Sequence, residues 1–380
     1  MNWREIMLSE FKEIFVTDRR RRASFLFGAS LIYLVLFATL YQSQVVKYIP
    51  IVIEDQDQTQ LSRKLIQYFD DSERFKIIAY TTTPEETQSY LQSKTAQAAV
   101  TIPVKFARDI KTGLSSQVLV EANGTNILIA NTVLTSAQEI IAYFSKETGA
   151  GLVELSGQLP ALAQNKAAPV DVRLQVLNNA TLSYQDYFVI GLALAAFQQG
   201  IFLSVGAGIV DMYQNASRYS KLRPIPLLAA KLTPYWLCSL AAFATTLLAA
   251  CVLFGLPVKG AIAHLFFLSA AFSLTATLLA SVAAAFCSTL VSYTQLSLSY
   301  TIPAFILSGH IWPLAAMNTF SQGLALFFPF TYFADSVRTI MLAGKDPLLY
   351  RNLGVLLGLS TVLFVVSAVI CSRKMQNTQA

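Results

Sequence analysis

Apolar positions run along this chain in long stretches separated by short polar ones. Runs over 23–42, 188–210, 232–256, 261–290, 291–307 and 353–371 are each near or above the ~20 residues that cross a hydrocarbon core about 30 Å thick. They predict six transmembrane helices, the fourth and fifth joined without a clear polar break. Ahead of them, residues 1–17 place Trp3, Met7, Phe11, Ile14 and Phe15 at helical spacing, with Arg4, Glu5, Glu10, Lys12 and Glu13 mostly on other faces. That pattern predicts an amphipathic helix lying in the membrane interface.

Between 43 and 186 the pattern changes to that of a soluble domain, long enough to build its own core. Strand-like runs at 49–53, 75–80, 98–102 and 117–121 alternate with helix-like runs at 59–69, 84–93, 104–112 and 126–146. Such alternation predicts an α/β sheet layer. Thr59 and Thr83 stand where N-caps are expected, and Pro103 where a helix could take a first-turn proline. Residues 148–169, rich in Gly, Ala and Gln, read as a loop or helical hairpin.

One apolar stretch, 299–338, is interrupted by Pro303, Gly309, Pro313, Gly323 and Pro329. Broken backbone at membrane depth is tolerated only where protein or a water-filled cavity satisfies its N–H and C=O groups, so this stretch is a candidate lining for a transport path. Two spans carrying ordinary membrane prolines account for the pattern equally well.

Composition agrees with the hydropathy. The chain is 54% hydrophobic and 13% charged, about half the charged fraction of a soluble protein. Its basic residues cluster beside spans, which argues for a topology signal and against a nucleic-acid surface. Arg4, Lys12, Arg19–Arg22, Arg218, Lys221, Arg223, Lys231, Arg373 and Lys374 make twelve on one side, against Lys259, Arg338, Lys345 and Arg351 on the other. The positive-inside rule then places both termini in the cytoplasm and the 43–186 domain outside. The first apolar run lacks a small-residue cleavage site, so it reads as an uncleaved anchor rather than a signal peptide. Cys238, Cys251, Cys287 and Cys371 all fall inside apolar runs, which suits packing and not a disulfide framework.

Several chemistries are missing from the sequence. No GxxxxGK[ST] loop occurs, so any ATP hydrolysis belongs to a partner. His264 and His310 are the only histidines, too few for a His-based metal site. The spans hold essentially no Asp, Glu, Lys or Arg, which argues against an ion-coupled transporter. Their polar residues, among them Gln198, Gln199, Thr245, Thr246, Ser273, Thr275, Thr277 and Gln295, suit hydrogen bonding between helices. Between the second and third spans, a short polar helix ending before Pro224 and Pro226 would present Arg218, Lys221 and Arg223; a solvated positive-inside loop carries the same charges.

The whole arrangement resembles the ABC type-2 exporter permeases, in the subgroup with a large external domain after span one. IPIVIEDQDQTQLSRKLIQYF looks like that family's opening strand, acidic turn and helix. Ile102, Pro103, Phe106 and Gly113 match its Ile-Pro-x-x-Phe segment, and LNNATLSYQDYFVIGL resembles the lead into span two, with Asn179-Ala180 near a frequent Asn-Pro. The loop 211–231 is similar to the coupling helix that docks into the partner ATPase, with Asp211, Asn215, Arg218, Lys221, Arg223, Pro224 and Lys231 in the corresponding places; Asn215-Ala216 replaces the family's Gly-Thr. Ser308, Gly309, Pro313, Pro329, Thr331, Tyr332 and Arg338 match the ordered signature where span five ends in short re-entrant helices, here 309–343.

The resemblance implies an α-helical polytopic membrane protein with six spans, a re-entrant hairpin between spans five and six, and an inserted external α/β domain. The implied division is an interfacial helix at 1–22, a first span at 23–42, an external domain at 43–186 and spans two to six within 187–380. It further implies a bacterial inner-membrane subunit, not itself an enzyme, that dimerises with a second copy or paralogue. A cytoplasmic ATPase would bind ATP and Mg, a periplasmic adaptor could join outside, and no cofactor sits on this chain. The apolar, uncharged spans suit a hydrophobic or amphipathic cargo such as a drug-like compound or lipid. A polymer exporter and a membrane-anchored external receptor or scaffold are the alternative readings.

Overall fold

The computed structural model describes residues 3–16, 22–42, 46–112, 114–155, 178–179, 183–219 and 222–377. They form two compact units, one of residues 1–44 with 176–380 and one of residues 45–175. In the first, α1 (Trp3–Phe15) precedes a π-helical turn (Ser24–Gly28) that runs into α2 (Ala29–Leu40). The buried stripe of α1 is Ile6, Glu10 and Ile14, whereas Trp3 and Phe15 are more than half exposed. The expected placement of Glu10 away from the packed face is therefore corrected: its carboxylate is neutralised inside the fold.

The second unit reads β1 (Ile49–Asp55), α3 (Gln60–Asp70), β2 (Phe75–Thr81), α4 (Pro84–Gln92), β3 (Ala98–Ile102), α5 (Phe106–Lys111), β4 (Leu119–Ala122) and α6 (Ile127–Leu155). The sheet order is β2-β1-β3-β4, with β1 parallel to β2 and β3, and β4 antiparallel to β3. Both faces of β1 are covered, as befits the centre of a parallel sheet. Ile51 and Ile53 pack with Leu65, Phe69 and Phe144 on one side, and Val52 packs with Ala96 and Ala99 on the other.

Local chemistry sets these boundaries. Thr59 and Ser62 form a reciprocal capping box at the start of α3, and Thr83 caps α4 ahead of Pro84 at its first position. Helix α5 starts at Phe106 behind Lys105 in the left-handed region, so Pro103 precedes the helix instead of opening it. Helix α6 continues through 148–155, where a loop or hairpin was expected; 156–169 lies outside the described residues.

In the first unit a second π turn (Gln185–Val189) leads into α7 (Ile190–Gln214). There follow α8 (Pro224–Phe254), α9 (Ile262–Ala285), α10 (Leu290–Ile306), α11 (Thr319–Ala325), α12 (Pro329–Ala343) and α13 (Leu349–Asn377). Among the described residues, four helices are long and apolar enough to cross a membrane: Gln185–Gln214, Pro224–Phe254, Ile262–Ala285 and Leu349–Gln376. Ser24–Leu40 is apolar but shorter, and α10 has 17 residues. The break between α9 and α10 falls at 286–289, earlier than expected, because Thr289 and Ser292 form a capping box that starts the new helix.

Helix α8 begins at Pro224, eight residues before the predicted span. Pro224 occupies its first turn, where a missing N–H costs nothing, so the proline starts a helix here and does not follow one. Phe197, Phe243, Phe272 and Phe333 join α7, α8, α9 and α12, with Phe272 and Phe333 stacked at 4.1 Å. Side-chain hydrogen bonds cross between helices at Ser30–Thr246 (2.8 Å), Thr275–Ser360 (2.8 Å) and Ser281–Ser367 (2.9 Å).

Candidate functional site

Of the residues singled out in the sequence, Asp211, Asn215, Arg218 and Arg223 lie at the C-terminal end of α7, and the Ser308–Gly309 turn with Arg338 lies at its N-terminal end. Helix α7 itself is about 37 Å long at 1.5 Å per residue over its 25 residues. At its C-terminal end, Asp211 lies in the last helical turn and not in a loop. Asn215 ends the helix and donates from Nδ2 to the Asp211 carbonyl at 3.1 Å. A single 3-10 turn (Ala216–Tyr219) then carries exposed Arg218 against the Tyr219 ring, 5.9 Å from its centroid. Arg223 is exposed immediately before α8; Lys221 lies outside the described residues.

Lys231 behaves differently from these exposed cations. It lies inside α8 and is 1% exposed, donating from Nζ to Glu10 Oε2. Glu10 Oε1 also accepts from Arg22 Nη1 at 2.9 Å and from the Tyr235 hydroxyl at 2.6 Å. Arg22 donates further to Glu13 Oε2 at 3.1 Å and to the Tyr235 hydroxyl at 2.9 Å, and its Nη2 lies 3.8 Å from Asp211 Oδ2. The Arg22 carbonyl accepts from Ser204 Oγ of α7 at 2.8 Å. Thus α1, the start of the π turn before α2, α7 and α8 converge on one buried ionic knot.

Burying charges is costly unless each is paired and hydrogen-bonded. Here the carboxylate has two cations and a hydroxyl, and Lys231 is additionally 5.1 Å from the Tyr219 ring centroid. Glu10, Glu13, Arg22 and Tyr235 were not marked as site residues by the sequence. The one available signal was the carboxylate standing midway in the Ile6–Ile14 spacing.

At the other end of α7, the turn after α10 holds Ser308, Gly309 and His310. Gly309 adopts φ +84, and a Cβ there would meet Leu314 Cγ at 2.9 Å. Ser308 Oγ donates to the Phe305 carbonyl at 2.7 Å and accepts from the His310 N–H at 3.2 Å. The buried His310 ring lies against Gly191, whose absent side chain makes room for it, and stacks on Tyr187 at 5.6 Å. Neither ring nitrogen forms a hydrogen bond of normal geometry, although the Tyr187 and Phe188 backbone lies beside them. Arg338 also sits over the Tyr187 ring, 4.8 Å from its centroid, and its Nη2 donates to Asp335 Oδ1 at 2.5 Å.

The two expected bends have separate causes. Pro313 caps a 3-10 turn (Leu314–Ala316), and Pro329 opens α12. Because Pro329 has no N–H to offer the end of α11, hydroxyls do that work: Thr331 Oγ1 donates to the Ala325 carbonyl and the Tyr332 hydroxyl to the Leu326 carbonyl, both at 2.9 Å. The structure therefore groups Pro329, Thr331 and Tyr332 as one capping unit, while Arg338 joins the His310 side. Among the described residues, no cluster of His, Cys, Asp or Glu could hold a metal ion.

The sequence compares with known proteins as follows. It is similar to the probable multidrug ABC transporter permease YbhR of Escherichia coli (strain K12), 23% identical over 300 residues that cover 77% of each chain. It is also similar to the probable multidrug ABC transporter permease YbhS of the same strain, 26% identical over 140 residues that cover 37% of each chain. The ABC-2 family transporter proteins match over residues 23–369, a range that includes the second unit and the helical one from the residue after Arg22 into α13, and leaves out α1. On that match the chain belongs to the ABC-2 family of transporter proteins, as a multi-pass membrane subunit.

Proposed function

We propose that this chain is the permease subunit of an ATP-driven exporter, working as a dimer with a separate ATPase that binds ATP and Mg and docks at the turn between α7 and α8. The observation that carries this reading is the knot around Glu10. Exposed Arg218 and Arg223 stand on a short turn whose two flanking helices are tied through Asp211 to Arg22, just ahead of the π turn that runs into α2, and through Lys231 to Glu10 of α1. A displacement of that turn by a docked partner would be passed to the surface helix and the first span together.

In this reading the chain has six spans. Ser24–Leu40 and α10, at 17 residues, are about 25 Å long and fall at the short end of what crosses a bilayer. Residues 309–343 form the re-entrant pair between spans five and six, supported by the Gly309 turn and the hydroxyl caps on α11. Both termini face the cytoplasm, and the 45–175 unit lies outside. The cargo is hydrophobic or amphipathic, consistent with the multidrug names of the two relatives.

Reconstitution with the cognate ATPase in liposomes tests the proposal: export requires ATP, and export driven by an ion gradient without ATP would overturn it. Reversing Arg218, Lys221 and Arg223 together to Glu is expected to lower ATPase co-purification by on the order of tenfold or more, since like charges set against each other cost several kcal/mol. Unchanged co-purification would remove these residues from the docking surface.

A further inference from the structure

Within the 45–175 unit, a cavity of about 310 Å³ opens between α3, α5, α6 and the extended segment ahead of β4. It falls at the lower end of the roughly 300–1,000 Å³ typical of small-molecule sites. Its walls are apolar and partly aromatic: Leu65, Phe106, Ile141 and Phe144, the two phenylalanines stacked at 5.9 Å. Among the described residues its polar side chains are the hydroxyls of Ser115, Ser116, Ser145 and Thr148, and no Asp, Glu, Lys, Arg or His contributes. The Thr148 hydroxyl is buried and has no hydrogen-bond partner, although a helical threonine commonly donates to the carbonyl one turn back. Leaving it unsatisfied is unfavourable, and a ligand acceptor would relieve that.

We propose that this cavity is a binding site for a neutral amphiphile, a molecule with an alkyl or aryl body and an uncharged oxygen-bearing head. The apolar walls take the body. The Thr148 hydroxyl donates to the head, with Ser116 and Ser145 beside it. Among the described lining residues no cation offers a counter-charge, which disfavours carboxylates and phosphates. The site belongs to the sheet unit alone and does not depend on the export reading; it gives that unit a recognition role of its own.

The test uses the full chain in nanodiscs, without ATP, so a failure of export leaves its outcome untouched. A medium-chain alkyl alcohol carrying a diazirine is photolysed on the protein, and labelled peptides are mapped by mass spectrometry. Saturable labelling is expected within 106–118 and 141–149, competed by the unlabelled alcohol and not by the alkyl carboxylate of equal length. Ser145→Phe, which grows into the mouth from an exposed helix position, should abolish that labelling while labelling of the long apolar helices persists. Thr148→Val keeps the shape, removes the donor, and should weaken binding by about 2- to 10-fold. Non-saturable labelling, equal competition by the carboxylate, or labelling unaffected by both variants would overturn the proposal.

Discussion

Glu10 shows how much a single side chain can decide. In Glu10→Ala, Lys231 and Arg22 stay buried with their shared carboxylate gone, a loss worth about 3–5 kcal/mol for a buried pair broken on one side. Tyr235→Phe leaves both ion pairs in place and removes one hydroxyl bonded to two charged groups, costing about 1.5–3 kcal/mol. Thermal unfolding of the detergent-solubilised protein is expected to show a larger shift for Glu10→Ala than for Tyr235→Phe; equal shifts would place the carboxylate outside the knot. None of this was legible locally, because the partners stand 12 and 221 residues away in sequence. By contrast, the positions of Ser308, Gly309, Pro313 and Pro329 were legible, since each acts on its own backbone.

At the scale of elements, Gln199, Thr246 and Thr275 hydrogen-bond between helices as expected. Thr245 and Ser273 instead bond carbonyls of their own helix, and the Gln198 amide nitrogen and Thr277 hydroxyl have no partner among the described residues. Thr275 and Ser281 of α9 bond Ser360 and Ser367 of α13, two matched steps along one helix pair. A double-mutant cycle on Thr275→Val and Ser360→Ala is expected to return a coupling of about 0.6 kcal/mol, the average for hydrogen bonds between membrane helices. Zero coupling would show that the pair is held by packing alone. Helix ends were harder to place than helices. The starts of α8 and α10 were both expected later, at 232 and 291, because hydropathy registers lipid-facing residues while capping by Pro224 and Thr289 acts on polar sequence outside the apolar run. The four strands were found because β-branched runs bounded by turns signal themselves, whereas the cavity beside Phe106 and Phe144 depends on tertiary packing and leaves no mark on the chain.

For the whole molecule, the arrangement of charge makes a topological prediction. Gln58 and Thr125 are both exposed in the sheet unit. Cysteines placed at either position in a chain whose native cysteines are replaced should react with a membrane-impermeant maleimide on intact cells, and labelling only after lysis would reverse the assigned sidedness. The helical character and the small sheet follow from patterns that repeat over many residues, and so survive errors at any one of them. The number of spans rests on two 17-residue helices, where one turn more or less changes the count.

The ionic knot also has a consequence for the order in which the protein is made. Glu10 leaves the ribosome 221 residues before Lys231, which at roughly 5–20 residues per second is a delay of about 11–44 s. Throughout that interval Arg22 is the one of Glu10's two partner cations already made, and Lys231 arrives after the whole sheet unit has been synthesised. The complete knot can therefore form only once the base of α8 has emerged. A chain stalled before that point carries Glu10 without its Lys231 partner.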